Sequence, residues 1–226
     1  MSGPRRIALA ALIAMGCAAS HGADAHPHIL VDARAKLLFD QHGDLTAIDN
    51  AWSFDEAFSA YAIQGYDSKG DGAPTRQDLQ PLAEINMSAL QEYHFFTRVS
   101  INGALAALRA PTDDWDEFAG ERLTLHFTIP LKQPLAVAGH TIVIDVYDDE
   151  YFAAVSFPMD QPLTFSGEPM GCRNFIERPQ ALDAATAGQL AKIPVSQREL
   201  PADLHAVTNK LVNAIVIRCP SAENAK

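Results

Sequence analysis

The chain has 226 residues, 48 % of them hydrophobic, with 28 acidic side chains against 17 basic ones and a formal net charge of −11. That length and apolar fraction suit one domain or a small pair with a core of real size. The acidic balance argues against nucleic acid as a partner, which calls for a basic patch, and against docking on anionic lipid.

The first 25 residues are expected to be an export signal. Arg5 and Arg6 form a basic start, Ile7 to Ala19 is a small-apolar run without charge, and Ala23-Asp24-Ala25 supplies the small-x-small cleavage pattern. The run of about 13 residues is too short to cross a bilayer of roughly 30 Å as a helix. A lipoprotein box at Ala14-Met15-Gly16-Cys17 fits less well, because Ala14 stands where Leu is usual. Cleavage after Ala25 removes two cations and one acid, so −11 becomes −12, and it removes Cys17. The remaining pair, Cys172 and Cys219, is predicted to form a disulfide in an oxidising compartment. It closes a loop of about 48 residues, worth up to roughly 4 kcal/mol on a chain-entropy argument.

Along the mature chain, His28–Phe39 and Leu45–Phe54 read as a β-hairpin around the turn Gln41–Asp44. Asp55–Gln64 and Arg76–Tyr93 carry helical spacing, with an Asp- and Gly-rich loop over Tyr66–Pro74 between them. The period then returns towards two. Strands are predicted over Phe95–Ile101, Leu105–Ala110, Trp115–Phe118, Leu123–Leu131, Thr141–Tyr147 and Phe152–Phe157, with another pair within Leu163–Ile176. Helices are predicted over Ala181–Ala191 and Leu204–Asn213, followed by the apolar Ala214–Ile217. The expected fold is mainly β (α+β). It comprises an antiparallel β-sandwich-like domain over 26–177, with an EF-hand-like helix–loop–helix inserted at about 55–93. A C-terminal helical and strand extension over 178–226 is tied back by Cys172–Cys219.

The insert offers a calcium candidate. An EF-hand loop needs oxygen ligands at positions one, three, five, nine and twelve, with Gly at six. Asp67, Asp71, Gly72 and Asp78 fall on positions one, five, six and twelve. Lys69, however, puts an ammonium at position three, and Asp78 is one methylene shorter than the usual bidentate Glu. Ca²⁺ binding is therefore expected to be weak or absent.

The stronger candidate is the new terminus, His26-Pro27-His28. A terminal His offers its α-amine and Nδ1 as a chelating pair, and His28 lies two residues on, on the same side of an extended segment. Imidazole and amine donors suit Zn²⁺, Ni²⁺, Co²⁺ or Cu²⁺. Pro27 has no amide proton to lose, so a planar chelate of four nitrogens is blocked. Further ligands must come from the fold or solvent, with Asp32, His126, His94 and Asp148 (in the run Asp148-Asp149-Glu150) as possible donors. No Gly-x-Ser-x-Gly, phosphate loop, His-Glu-x-x-His or Cys-x-x-Cys pattern occurs.

A signal peptide ending at His-Pro-His, then Val31-Asp32-Ala33-Arg34, resembles a bacterial periplasmic family called domain of unknown function 1007. So do Trp52–Glu56 with Phe58–Tyr61, the Asp67–Gly72 loop, Tyr93–Phe96, Thr112–Trp115, Arg122–Pro130 and Val146–Asp148. The resemblance covers roughly 26 to 177. Members are labelled as periplasmic components of ABC-type transport systems and tend to be encoded beside nickel/cobalt-type permeases. The resemblance thus implies non-enzymatic metal handling in the periplasm, with an inner-membrane metal permease as partner and His26 and His28 as the metal-binding pair. It implies less for calcium, because the family's loop more often has Asn or Asp where this chain has Lys69. Two other functions compete: a secreted copper enzyme with an N-terminal histidine brace, and an interaction module whose EF-like insert is only structural.

Overall fold

Two-residue alternation runs through most of the chain after His28 and shapes it into two facing sheets. The computed structural model describes residues 26–167, 171–179, 181–194, 196–197 and 199–221. The expected signal peptide, with Cys17, lies outside the described residues. β1 (Ile29–Phe39) buries Val31, Ala33, Ala35 and Leu37 and turns Asp32, Arg34 and Lys36 outward. It pairs antiparallel with β2 (Leu45–Phe54). The turn between them is held by Asp40, whose carboxylate accepts the N–H groups of His42 and Asp44.

The insert follows as predicted, with tighter limits. Helix α1 spans Glu56–Ala62, and its N-cap Asp55 accepts from Phe58 N–H. Helix α2 spans Arg76–Gln91, opens on a Thr75/Asp78 capping box, and buries Leu79, Leu82 and Ala83. The remaining strands are β3 (Thr97–Ile101), β4 (Ala104–Leu105), β5 (Thr112–Ala119), β6 (Arg122–Leu135), β7 (Thr141–Val146), β8 (Ala153–Ser156), β9 (Leu163–Ser166) and β10 (Arg173–Glu177). Short helices α3 (Ala184–Leu190) and α4 (Ala202–Thr208) precede β11 (Asn213–Arg218). Among the described residues no helix is long and apolar enough to cross a membrane.

The first sheet runs β5-β6-β2-β1-β8, with β9 also on β1, and the second runs β10-β11-β7-β3-β4. Their inner faces share one core, in which Leu37, Leu125, Phe127 and Ile129 meet Ile142, Ile144, Ile215 and Ile217. The sandwich expected from the strand pattern is thus present and mainly β. It is not antiparallel throughout. β8 and β9 lie parallel to β1, one after the other along its 11 residues. They do so because the chain leaves β7 in the second sheet, crosses to the first, and meets β1 at its start.

Three predicted elements are redrawn. The strand expected over Leu105–Ala110 shrinks to β4 and a bridge between Leu108 and Leu131, since this stretch buries little; Leu105 is 77 % exposed. The strand expected from Phe95 begins at Thr97, because His94, Phe95 and Phe96 form a left-handed turn with φ of 51°, 54° and 47°. Such a turn costs side-chain-bearing residues about 1–2 kcal/mol each. The helix expected over Leu204–Asn213 stops at Thr208, and the chain beyond it becomes β11, inserted between β10 and β7 with Ile215 and Ile217 fully buried.

The register Arg173↔Arg218 sets Cys172 opposite Cys219, and the two are disulfide-bonded across a separation of 47 positions. The bridge closes the excursion that holds α3 and α4. Reduction should lower stability by about 2–4 kcal/mol, measured as the denaturant midpoint with and without reductant. It should also open 178–212 to limited proteolysis before the sandwich itself is cut.

Candidate functional site

The predicted terminal pair is brought together. The rings of His26 and His28 lie 4.5 Å apart between centroids, and both pack on Phe152, at 5.9 and 4.8 Å. Backbone bonds fix the arrangement, because His28 N–H and Ile29 N–H both donate to the Phe152 carbonyl, at 2.8 and 3.2 Å. His26 N–H donates to the carbonyl of Leu190 at the end of α3, at 3.1 Å. His26 is 4 % exposed, and both of its ring nitrogens are buried without a hydrogen-bond partner among the described residues.

Phe152 is placed by Asp148. That carboxylate is buried and accepts the N–H groups of Glu150 at 3.0 Å, Phe152 at 3.1 Å and Ala153 at 3.0 Å. It therefore shapes the turn on which the histidines rest. Next to it, Glu150 accepts Leu200 N–H at 2.7 Å and lies 3.8 Å from His205. Leu190, Ile193, Leu200 and Leu204 form a second small core that packs on Tyr151. The C-terminal segment thereby walls the terminal pair. Sequence reasoning had no signal for this, since the contact runs through backbone atoms and scattered leucines.

The other proposed donors lie elsewhere. Asp32 projects from the outer face of the first sheet and is paired with Arg122 at 2.8 Å. Arg122 also donates to the carbonyls of Phe54 and Ser53. His126 stacks on Trp115 with centroids 3.9 Å apart, the Arg76 guanidinium lies over the Trp115 ring, and His126 Nε2 is 3.4 Å from Glu117. Burial pushes the His126 pKa down, against the pull of Glu117. His94 is exposed in a cleft with Arg98 and Asp149. Among the described residues no group of three or more His, Cys, Asp or Glu side chains is placed to hold a metal. A metal at the pair would draw on imidazoles and the terminal amine, and the two unpartnered His26 nitrogens fit that donor set.

The EF-hand-like loop uses its own carboxylates internally. Asp67 accepts the N–H groups of Lys69, Gly70 and Gly72, which hold its pKa below the usual value. Asp71 accepts Ala73 N–H. Asp78 accepts Thr75 N–H and the Thr75 hydroxyl, and these bonds with that of Ser68 take its pKa down to about 2.

Sequence reasoning missed a buried acid. Asp116 on β5 is fully buried, facing α2 where its neighbours on the strand face outward. Its Oδ1 has no hydrogen-bond partner among the described residues, and Asn86 of α2 donates to Oδ2 at 3.5 Å. Loss of hydration raises its pKa to about 7, with nearby Asp114 adding to the effect. The signal was available in principle: in Asp113–Phe118, alternation alone puts residue 116 on the inner side.

The geometry defines a two-sheet sandwich with a histidine pair seated on the crossover between the sheets. Residues 11–219 match the model of the family described as "Protein of unknown function (DUF1007)", and the chain belongs to that family. It is also similar to a protein of Haemophilus influenzae described as "Uncharacterized protein", with 24 % identity over 207 residues, 91 % of this chain and 96 % of that one.

Because the folded state holds the Asp116 proton to higher pH than the unfolded chain, its contribution is full below about pH 4 and declines as pH rises towards 7. Asp116→Asn keeps a partner for Asn86 without the charge. Melting curves from pH 4 to 8 should show the variant gaining on wild type as pH rises, by on the order of 4 kcal/mol at pH 8. A constant difference across that range would refute the buried-acid assignment.

Proposed function

We propose that the mature protein is a periplasmic, non-enzymatic accessory protein that binds one divalent transition-metal ion, Zn²⁺, Ni²⁺ or Co²⁺, and serves an inner-membrane metal permease. One observation carries the reading: two histidine rings at 4.5 Å, one of them buried with both ring nitrogens unpartnered among the described residues. A buried polar atom left without a partner costs on the order of 1–3 kcal/mol, so a site with two of them is poised for an occupant. A metal ion satisfies one nitrogen of each ring. The α-amine released by cleavage before His26 adds a third donor. An amine that ligates through its lone pair still has hydrogens for the Leu190 carbonyl, so the bond seen from His26 N–H is compatible with coordination.

The periplasmic setting is supported by the basic and apolar start of the sequence and by the Cys172–Cys219 bond, which suits an oxidising compartment. The acidic net charge draws cations towards the surface. The carboxylates of Asp32 and Asp148 are occupied by Arg122 and by backbone N–H groups, so the remaining coordination positions belong to solvent or to a delivering or receiving partner.

Calorimetric titration of protein beginning at His26 with Zn²⁺ and Ni²⁺ is expected to give one site. Retaining a Met before His26 turns the terminal amine into an amide and should weaken it by at least 10-fold. His28→Ala should weaken it comparably. Equal affinity of the three proteins would overturn the terminal site.

A further inference from the structure

Beside the histidine pair, and distinct from it, lies a cavity of about 170 Å³ between the first sheet, the helical insert and the crossover. β1 and β2 give it a buried floor of Val31, Trp52 and Phe54. Phe58 of α1, Tyr93, Phe96 and Phe152 close its sides, so six aromatic residues line it. Ala89 also lines it and is exposed on α2, which opens the cavity to solvent on that side. A space of this size exceeds the packing defects of protein interiors, where few voids are larger than a water molecule. The left-handed turn over His94–Phe96 delivers Phe96 to the wall, where its ring lies parallel to Trp52 with centroids 6.2 Å apart. Backbone strain of this kind persists only where the surrounding structure over-determines it, and it concentrates where ligands are held.

We infer that this cavity binds a small neutral aromatic molecule. Charge decides against ions of either sign. No Lys, Arg or His lines the cavity, so an anion would leave water without a countercharge. Asp148 is the one carboxylate among the lining residues, and its oxygens are spent on the N–H groups of Glu150, Phe152 and Ala153. An ammonium would compete with the bonds that order the crossover, and would lose its hydration to do so. A neutral guest gives up no ionic hydration and gains from the burial of its apolar surface. Shape selects an aromatic one, because rings pack on other rings edge-to-face or offset, and such pairs are worth more than the area they bury. The volume sets the size: an engineered cavity of about 150 Å³ accepts benzene, so this one suits a single ring with a short substituent, about eight non-hydrogen atoms. The inference goes beyond the metal reading and does not rest on it, since neither His26 nor His28 lines the cavity.

The test uses the mature protein in EDTA, so that metal binding plays no part. Calorimetry compares benzyl alcohol with benzylamine, protonated at pH 7, with benzoate, and with cyclohexylmethanol, which keeps the hydroxyl but not the aromatic ring. Benzyl alcohol is expected to bind at least 10-fold more tightly than either ion, and more tightly than cyclohexylmethanol. Location is read at Trp52, because the chain has two tryptophans, Trp52 in the wall and Trp115 stacked on His126. NMR should show the indole N–H signal of Trp52 moving along the same saturation curve as the heat while that of Trp115 stays in place; Trp115→Phe identifies the two signals. Equal affinity for either ion or for cyclohexylmethanol, no binding of benzyl alcohol at millimolar concentration, or saturation without a response at Trp52 would each overturn the inference.

Discussion

The carboxylate of Asp148 holds the point on which the two sheets and the histidine pair both depend. β7 ends in the second sheet at Val146 and β8 begins in the first at Ala153, so six residues must carry the chain from one layer to the other. A turn that short, partly buried, leaves N–H groups that water cannot reach. Asp148 accepts three of them, from Glu150, Phe152 and Ala153. Charge-assisted bonds of this type are about twice as strong as neutral ones, which makes the crossover a rigid element. Once it is fixed, β8 has one available place, parallel to the start of β1, and the Phe152 carbonyl is presented to His28 and Ile29.

The C-terminal segment completes the same corner from the other side. Glu150, the next acid in the crossover, accepts Leu200 N–H, while Tyr151 packs on the small core of Leu190, Ile193, Leu200 and Leu204. Leu190 in turn offers its carbonyl to His26. The disulfide beside β10 and β11 ties both ends of the segment, and the Glu150 contact pins its middle at Leu200. The 35 residues between β10 and β11 (178–212) form a loop whose closure cost grows only slowly with length, so these two fixings can hold it. That pinning is what encloses His26, a residue that without α3 would be an exposed end.

Much of this was legible in the sequence, and the boundary between legible and not is physical. Strands with a one-sided core, such as Val31–Leu37 and Leu123–Ile129, announce themselves by alternation, and α2 does so by its helical spacing from Arg76. The opposed cysteines and the closeness of His26 and His28 followed from parity and from spacing. What could not be read depends on partners remote in sequence. Ala214–Ile217 is apolar without alternation because β11 is central and covered, and such a run looks like the end of a helix. Asp32 was in phase with His28, but Arg122, 90 positions away, holds it. Asp148 was legible as part of an acidic run and as a possible ligand; its role in ordering a turn was not, since that depends on N–H groups that any residue carries.

The interior has a consistent electrical character. Among the described residues, the buried ionisable side chains are His26, Asp116 and Asp148, while Arg76, Arg98 and Arg122 are spent on outer surfaces. Asp148 is stabilised by backbone dipoles, and Asp116 sits where its proton is retained to about pH 7. A fold that needed only stability would place hydrophobic residues at such positions, because an acid in the core costs free energy that an isosteric apolar group does not. The crossover gives a reason for Asp148 but not for Asp116, and His26 gains nothing structural from two buried ring nitrogens. The crossover that Asp148 orders is also the surface on which both imidazoles rest, through the Phe152 ring and carbonyl, so the unpartnered His26 nitrogens are held in place by the same turn that fixes the two sheets, and it is this that favours the metal reading of the terminal pair.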